Sequence, residues 1–229
     1  MKKWTLLEQV TTPDGSRLSL AEHDGTYAIR VNGRELMSSR HSFSDEQLGV
    51  VACQPLGLVK GARVLIGGLG LGFTLRAALS NLAPDAQVVV AELLPEVVTW
   101  NRNPAYRLSS EALADARTEV VIGDVARVIE QSQARFDAIM LDADNQTTSM
   151  NTPGNARLYQ AAGLAAVHRA LTKGGLAVYW SAGEEPAFVE RFAKSGFDVQ
   201  VQRVRRHPSS KAAHFLLIGR QTLIARPRT

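Results

Sequence analysis

Residues 64–73 read VLIGGLGLGF, so that a short apolar run leads directly into a glycine-rich turn. Glycine lacks a Cβ atom, which lets the backbone turn sharply and approach a ligand closely. The apolar run predicts a buried strand, and the residues from Thr74 onward predict a helix whose first N–H groups face that ligand. A strand, a glycine turn and a helix in this order predict a cofactor site that includes Gly68, Gly70 and Gly72.

An acidic residue follows this motif at the position expected for a ribose ligand. Glu92 stands twenty residues after Gly72, at the end of the next apolar run, where its carboxylate can accept both ribose hydroxyls. The glycine spacing is G-x-G-x-G, because Phe73 occupies the position of the last glycine in the dinucleotide-binding pattern. The motif therefore favours S-adenosylmethionine or a close relative over NAD as the cofactor.

Two further apolar runs end on carboxylates. Asp124 follows one of them and either accepts the amino group of adenine or caps the helix that starts at Val125. The other run, residues 136–141, is followed by Asp142 and then by Asp144. Ligands bind at the carboxyl ends of strands in open α/β sheets, and a carboxylate there can hold or deprotonate an attacking amine or hydroxyl. Asp142 and Asp144 are therefore the predicted catalytic residues.

The chain alternates apolar runs with helical segments after its first quarter, which predicts a mostly parallel sheet covered on both faces. Before them, Asp-Gly and Asn-Gly pairs predict the tight turns of a small β-meander, and Ser44 is the predicted N-cap of a helix from Asp45. We predict an α/β protein with this meander over residues 1–44 and a Rossmann-like cofactor-binding transferase domain over residues 45–229. The seven strands predicted for that domain span residues 63–66, 87–91, 119–122, 136–141, 176–180, 198–205 and 214–220, with the last two antiparallel.

Composition sets the broad class of the protein. Of its 229 residues, 45% are hydrophobic and 21% are charged, as in an ordinary soluble globular protein. A single Cys allows no internal disulfide, and no apolar run approaches the roughly 18 residues of a membrane span. Without a recognisable export signal, the expected location is the cytoplasm.

The charged and imidazole side chains are unevenly distributed. Residues 199–229 contain seven Lys or Arg residues and no Asp or Glu. This segment is interpreted as a solvated charged edge, with a contact to nucleic acid or another polyanion as the alternative. The His residues show no ligand spacing, so no metal site is predicted.

The order of these motifs resembles the spermidine synthase family of polyamine aminopropyltransferases. Its members combine a small N-terminal β domain with a seven-stranded domain of the class I methyltransferase type. The likeness is most specific over residues 64–79, where Thr74-Leu75-Arg76 follows the glycine motif. The resemblance implies that Glu92 binds the ribose, that Asp124 binds the adenine and that Asp142 deprotonates or orients the acceptor amine. It also implies a homodimer formed through the β-meander.

Several positions depart from the pattern of that family. Leu71 stands where the family has an Asp that helps hold the amino end of decarboxylated S-adenosylmethionine, and Asn145 replaces the second acid after the fourth strand. Trp180-Ser181-Ala182 replaces a polar Q-x-E sequence. A dicationic acceptor needs several oxygen ligands that are missing here. These departures favour methyl transfer from S-adenosylmethionine to a small amine or hydroxyl acceptor.

Two alternatives to methyl transfer remain open. One is aminopropyl transfer from decarboxylated S-adenosylmethionine, and the other is a non-catalytic module that binds an adenosine ligand. Three residues are candidates for the acceptor region. His41 is either a general base or acceptor ligand or an exposed loop residue, and Tyr159 and Trp180 either wall an aromatic or cationic pocket or belong to the core.

Overall fold

The computed structural model describes residues 3–12, 14–142, 157–207 and 212–222. Their strands form two sheets, a four-stranded antiparallel sheet in the order β1-β2-β3-β4 and a seven-stranded sheet in the order β10-β11-β9-β8-β5-β6-β7. The strands are β1 Thr5–Thr11, β2 Arg17–His23, β3 Thr26–Val31, β4 Arg34–Ser38, β5 Arg63–Gly67, β6 Gln87–Glu92, β7 Thr118–Ile122, β8 Phe136–Asp142, β9 Leu171–Ser181, β10 Phe197–Arg205 and β11 Ala213–Gln221.

The N-terminal sheet is built on the tight turns that the sequence predicts. Asp24 has φ +46° and Gly25 has φ +78°, and Asn32 and Gly33 have φ +50° and +81°. Positive φ at both central residues is the geometry of a hairpin turn that matches the twist of its strands. One strand, β1, was not predicted, because Thr5–Thr11 lacks a clean alternation of apolar and polar residues and is only half-buried.

The seven-stranded sheet confirms the predicted fold class. Strands β9, β8, β5, β6 and β7 are parallel neighbours, whereas β11 runs antiparallel to both β9 and β10. All seven predicted strands are present, although β9 begins earlier than expected, at Leu171. The helices are α1 Phe43–Cys53, α2 Phe73–Asn81, α3 Pro95–Arg102, α4 Ser110–Ala114, α5 Val125–Glu130, α6 Ala161–Ala170 and α7 Pro186–Lys194.

Helix α1 begins two residues before the predicted start and joins the two sheets. Its N-cap is Ser42, whereas Ser44, the predicted cap, is buried and its hydroxyl lies 3.0 Å from Nδ1 of His214. Leu18 and Ile29 of the N-terminal sheet share one hydrophobic core with residues of α1 and β5. The two sheets are thus packed together, and a site between them is lined by both.

No helix within the described ranges is long and apolar enough to cross a membrane. The thiol of Cys53 is buried, and burial raises its pKa to about 12. Cys53 is therefore a core residue and a poor nucleophile, because the thiol stays neutral.

Candidate functional site

The glycine turn lies between β5 and α2, and its three predicted glycines all adopt a positive φ. The φ angles are +91° at Gly68, +55° at Gly70 and +75° at Gly72, which is the N-cap residue of α2. A Cβ atom at Gly72 would overlap the hydroxyl of Ser109, whereas one at Gly68 would meet nothing within 4 Å. The backbone conformation requires glycine at all three positions, and close packing requires it also at Gly72.

Two side chains from outside the motif donate hydrogen bonds to carbonyl oxygens of this turn. Nδ2 of Asn101, a fully buried residue of α3, donates to the carbonyl oxygen of Gly70 at 2.8 Å. The Ser109 hydroxyl donates to the carbonyl oxygen of Leu71 at 3.0 Å and accepts from Arg76 at 2.6 Å. Sequence analysis missed Asn101 and Ser109, because neither belongs to a recognisable motif and both are remote from the turn in sequence.

Glu92 ends β6 directly beside the glycine turn. Only 7% of the residue is exposed, and its two carboxylate oxygens accept the backbone N–H groups of Leu69 at 2.8 Å and Leu94 at 2.9 Å. Burial raises the pKa of Glu92, and the bonds from these N–H groups oppose that shift. The carboxylate is therefore held in one orientation at the predicted cofactor site.

Asp124 connects β7 to α5 and caps that helix. Its Oδ1 accepts the N–H of Ala126 at 2.8 Å, and its Oδ2 pairs with Nη2 of Arg157 at 2.9 Å. The structural role that the sequence offered as one alternative is therefore present. The residue also lines the cavity described below, and recognition of adenine stays a prediction because a carboxylate can accept more than two hydrogen bonds.

Asp142 is the last residue of β8, at the carboxyl edge of the sheet. In the register of the parallel strands it lies opposite Trp180, the penultimate residue of β9. The second predicted catalytic acid, Asp144, lies outside the described residues, as does Asn145. Of the two candidates, Asp142 is therefore the one whose position can be assessed.

A cavity of about 680 Å³ lies between the glycine turn, the carboxyl ends of the strands and the N-terminal sheet. One part, here called the cofactor end, is lined by the predicted cofactor residues Gly68, Gly70, Glu92 and Asp124. A second part, here called the acceptor end, is lined by His41, Trp180, Arg206 and His214. Asp142 and Tyr159 line the same cavity. The residues that line it therefore come from both halves of the chain.

The acceptor end is an aromatic and basic surface. The rings of Trp180 and His214 are in an edge-to-face arrangement with their centroids 4.6 Å apart. Burial, followed by the positive charge of Arg206, lowers the pKa of both His41 and His214. Both imidazoles are therefore neutral at neutral pH, and the guanidinium of Arg206 carries the charge.

No protein-family model matches this chain. It is 32% identical over 81 residues to a polyamine aminopropyltransferase of Clostridium tetani (strain Massachusetts / E88), a match that covers 35% of the chain and 28% of that protein. It is 30% identical over 129 residues to a polyamine aminopropyltransferase of Korarchaeum cryptofilum (strain OPF8), covering 56% of the chain and 38% of that protein. These matches span well under half the length of the curated relatives.

Two solved structures share the fold. Spermidine synthase from Thermotoga maritima superposes with a TM-score of 0.73 at 18% identity, over 94% of this chain and 72% of that one. A spermidine synthase in complex with the transition-state analogue AdoDATO superposes with a TM-score of 0.71 at 19% identity, also over 94% and 72%.

The fold is thus that of a Rossmann-like, class I methyltransferase-type α/β domain preceded by an antiparallel sheet. Within that class the chain resembles the spermidine synthase family in sequence and in structure, which confirms the resemblance inferred from its motifs. The named relatives are aminopropyltransferases. The comparisons therefore favour the aminopropyl alternative, and they do not support methyl transfer, the main hypothesis from the sequence. The predicted homodimer and the roles of individual site residues stay predictions.

Proposed function

We propose that this protein is an aminopropyltransferase, which moves the aminopropyl group of decarboxylated S-adenosylmethionine to an amine acceptor. The observation that carries the proposal is the single cavity in which Glu92, Asp124 and Asp142 meet, at the carboxyl ends of three strands of a fold shared with spermidine synthases. Ligands of open α/β sheets bind at this edge. The proposed enzyme works in the cytoplasm on a small-molecule acceptor.

The cofactor end suits the adenosine part of the donor. Gly68 has open space where a Cβ atom would stand, which allows a ligand to approach the backbone. In this proposal Glu92 accepts the ribose hydroxyls, and Asp124 accepts the amino group of adenine. These contacts are hydrogen bonds to charged acceptors, which are stronger than bonds between neutral groups.

The aminopropyl ammonium needs a carboxylate that the glycine turn does not supply, because Leu71 is buried there in the core. Asp45 of α1 offers one. Its backbone oxygen accepts the Thr74 hydroxyl at 3.0 Å, which fixes the residue against the first turn of α2. Asp45 also lines the cavity. We therefore assign it to the ammonium of the donor, in place of an acid in the glycine turn.

In the proposed reaction, Asp142 accepts the proton that converts the acceptor ammonium into a nucleophilic amine. The nitrogen lone pair then forms a bond to the sulfonium-linked carbon of the aminopropyl group. The carbon–sulfur bond breaks, and its electron pair returns to sulfur to give neutral methylthioadenosine. The sulfonium is already activated, so that the main task of the protein is to align the amine with this carbon.

The test is to incubate the protein with decarboxylated S-adenosylmethionine and a mixture of small amines, and to measure methylthioadenosine by chromatography. Production of methylthioadenosine together with an amine heavier by one aminopropyl group is the expected result. S-Adenosylmethionine is the matched donor control, because the departures from the family pattern, Leu71 among them, favour methyl transfer. Formation of S-adenosylhomocysteine from that control, and of no methylthioadenosine, would show methyl transfer instead.

A further inference from the structure

Trp180 supplies a hydrogen-bond donor that the protein leaves unused. The residue is 8% exposed and lines the acceptor end, and its Nε1 atom finds no hydrogen-bond partner among the described residues. An indole N–H can donate but cannot accept. A buried donor without a partner is unfavourable, and a hydrogen bond to a ligand oxygen would remove that penalty.

The rest of the acceptor end is compatible with an oxygen ligand, because the neutral imidazole of His41 donates through Nδ1 in one of its two tautomers. Nδ1 of His41 is buried and has no hydrogen-bond partner in the described ranges, and His41 lies within the electrostatic reach of Arg206. Nδ1 of His214 is engaged by Ser44 at 3.0 Å. The net charge contributed by these side chains is positive, because the two imidazoles are neutral and Arg206 is charged.

We propose that the acceptor is an amine that also carries a carboxylate, with its amine at Asp142 and its carboxylate at Trp180, His41 and Arg206. This inference rests on the proposed aminopropyl transfer and names its acceptor class. A fully charged diamine has only N–H donors to offer. Its second ammonium would leave the Trp180 N–H unpaired and would stand close to the positive charge of Arg206.

The acidic residues around the cavity are compatible with this assignment. Asp142 faces the amine that reacts, and Asp45 is assigned to the ammonium of the donor. Glu35 of β4 is exposed, and its charge opposes the lowering of the pKa of His41. Arg206 is exposed as well, so that solvent screens both charges, and the buried N–H of Trp180 is the main support for an acceptor with an oxygen ligand.

Three amines with the same four-carbon chain test the proposal. Calorimetry on protein saturated with methylthioadenosine would give the dissociation constants of 4-aminobutyrate, 4-amino-1-butanol and putrescine. We expect 4-aminobutyrate to bind roughly tenfold more tightly than putrescine, with the alcohol between them. Tighter or equal binding of putrescine or of the alcohol, or no binding of 4-aminobutyrate, would overturn the proposal.

Two variants test whether the named side chains cause the preference for 4-aminobutyrate. Arg206→Gln and Trp180→Phe are each expected to weaken binding of 4-aminobutyrate roughly fivefold or more, while the affinity for methylthioadenosine stays unchanged. Arg203→Gln is the matched control, because Arg203 is an exposed residue of β10, three positions before Arg206, and does not line the cavity. An unchanged affinity in both variants would refute the assignment.

The two proposals fail in different ways. If 4-aminobutyrate binds preferentially but no amine yields methylthioadenosine, aminopropyl transfer is wrong and the charge assignment of the acceptor end stands. If putrescine binds preferentially and is converted, aminopropyl transfer stands and the carboxylate-bearing acceptor is wrong.

Discussion

The cofactor end and the acceptor end of the cavity are built in different ways. At the cofactor end, backbone groups and a buried carboxylate satisfy one another, as in the hydrogen bond from Leu69 to Glu92 at 2.8 Å. At the acceptor end, side chains from distant segments meet, and the N–H of Trp180 finds no partner in the described part of the chain. The first arrangement is complete without a ligand, whereas the second gains hydrogen bonds when one binds. The difference suggests that the cofactor end fixes the donor class and the acceptor end selects the acceptor.

The largest effect is expected at the point where the two ends meet. Asp142→Asn should lower the rate of transfer roughly 10²- to 10⁴-fold, because the amide cannot take the proton of the acceptor. The affinity for methylthioadenosine, measured by calorimetry, should be unchanged, since Asp142 is not part of the cofactor end. An equal loss of rate and of affinity would place Asp142 among the cofactor ligands instead.

A comparison of two glycines tests how tightly the cofactor end is packed. Gly72→Ala should destabilise the protein by about 2–5 kcal/mol, because the new Cβ atom meets Ser109 and the residue keeps a positive φ. Gly68→Ala has a similar φ but open space around it, so that about 1–2 kcal/mol is expected. Denaturant unfolding measures both. Equal losses would mean that contact with Ser109 contributes nothing.

The hydrogen bond from Asn101 to the glycine turn predicts a smaller effect on the free energy of unfolding. Asn101→Leu removes the donors to the carbonyl oxygens of Gly70 and Val97, and we expect a loss of about 1–3 kcal/mol in the free energy of unfolding. The affinity for methylthioadenosine should also fall, because the turn is less firmly positioned. Asn81→Leu is the control, since its amide donates to Ala77 within α2, away from the turn.

The smallest effect concerns the pH dependence of stability at the cofactor end. Burial raises the pKa of Glu92 above its ordinary value of 4.5, so the folded protein holds this proton more tightly than the unfolded chain does. The resulting stability is fully present below pH 4.5 and is lost as the pH rises through the folded pKa. Glu92→Gln should therefore flatten the fall in unfolding free energy over this range. A curve parallel to that of the unchanged protein would contradict the assignment.

The arrangement of the cofactor end could be predicted from the sequence, because it depends on residues that lie close together in the chain. Strand β5, the positive-φ glycines and the acid that ends β6 follow one another in a fixed order, so that spacing alone identifies them. The prediction of Ser44 as the N-cap was wrong, because the Ser44 side chain is buried and its hydroxyl lies beside His214. Asn101 acts on the glycine turn from another helix, and no local pattern marks such a contact.

The acceptor end could be predicted only as separate candidates. His41, Tyr159 and Trp180 were each proposed with a structural alternative, since an aromatic residue at the end of a strand is often part of the core. The convergence of His41 and Trp180 with Arg206 and His214 depends on how the N-terminal sheet packs on the larger one, whereas Tyr159 packs against Tyr179 and Phe188. That packing is set by contacts between residues far apart in sequence, which composition and periodicity do not report.

The most direct measurement compares two donors at the same cavity. Purified protein would be given decarboxylated S-adenosylmethionine or S-adenosylmethionine together with 4-aminobutyrate and putrescine, and the nucleoside products would be identified by mass spectrometry. We predict methylthioadenosine from the decarboxylated donor and an amine extended by an aminopropyl group. Formation of S-adenosylhomocysteine and a methylated amine, without methylthioadenosine, would contradict aminopropyl transfer.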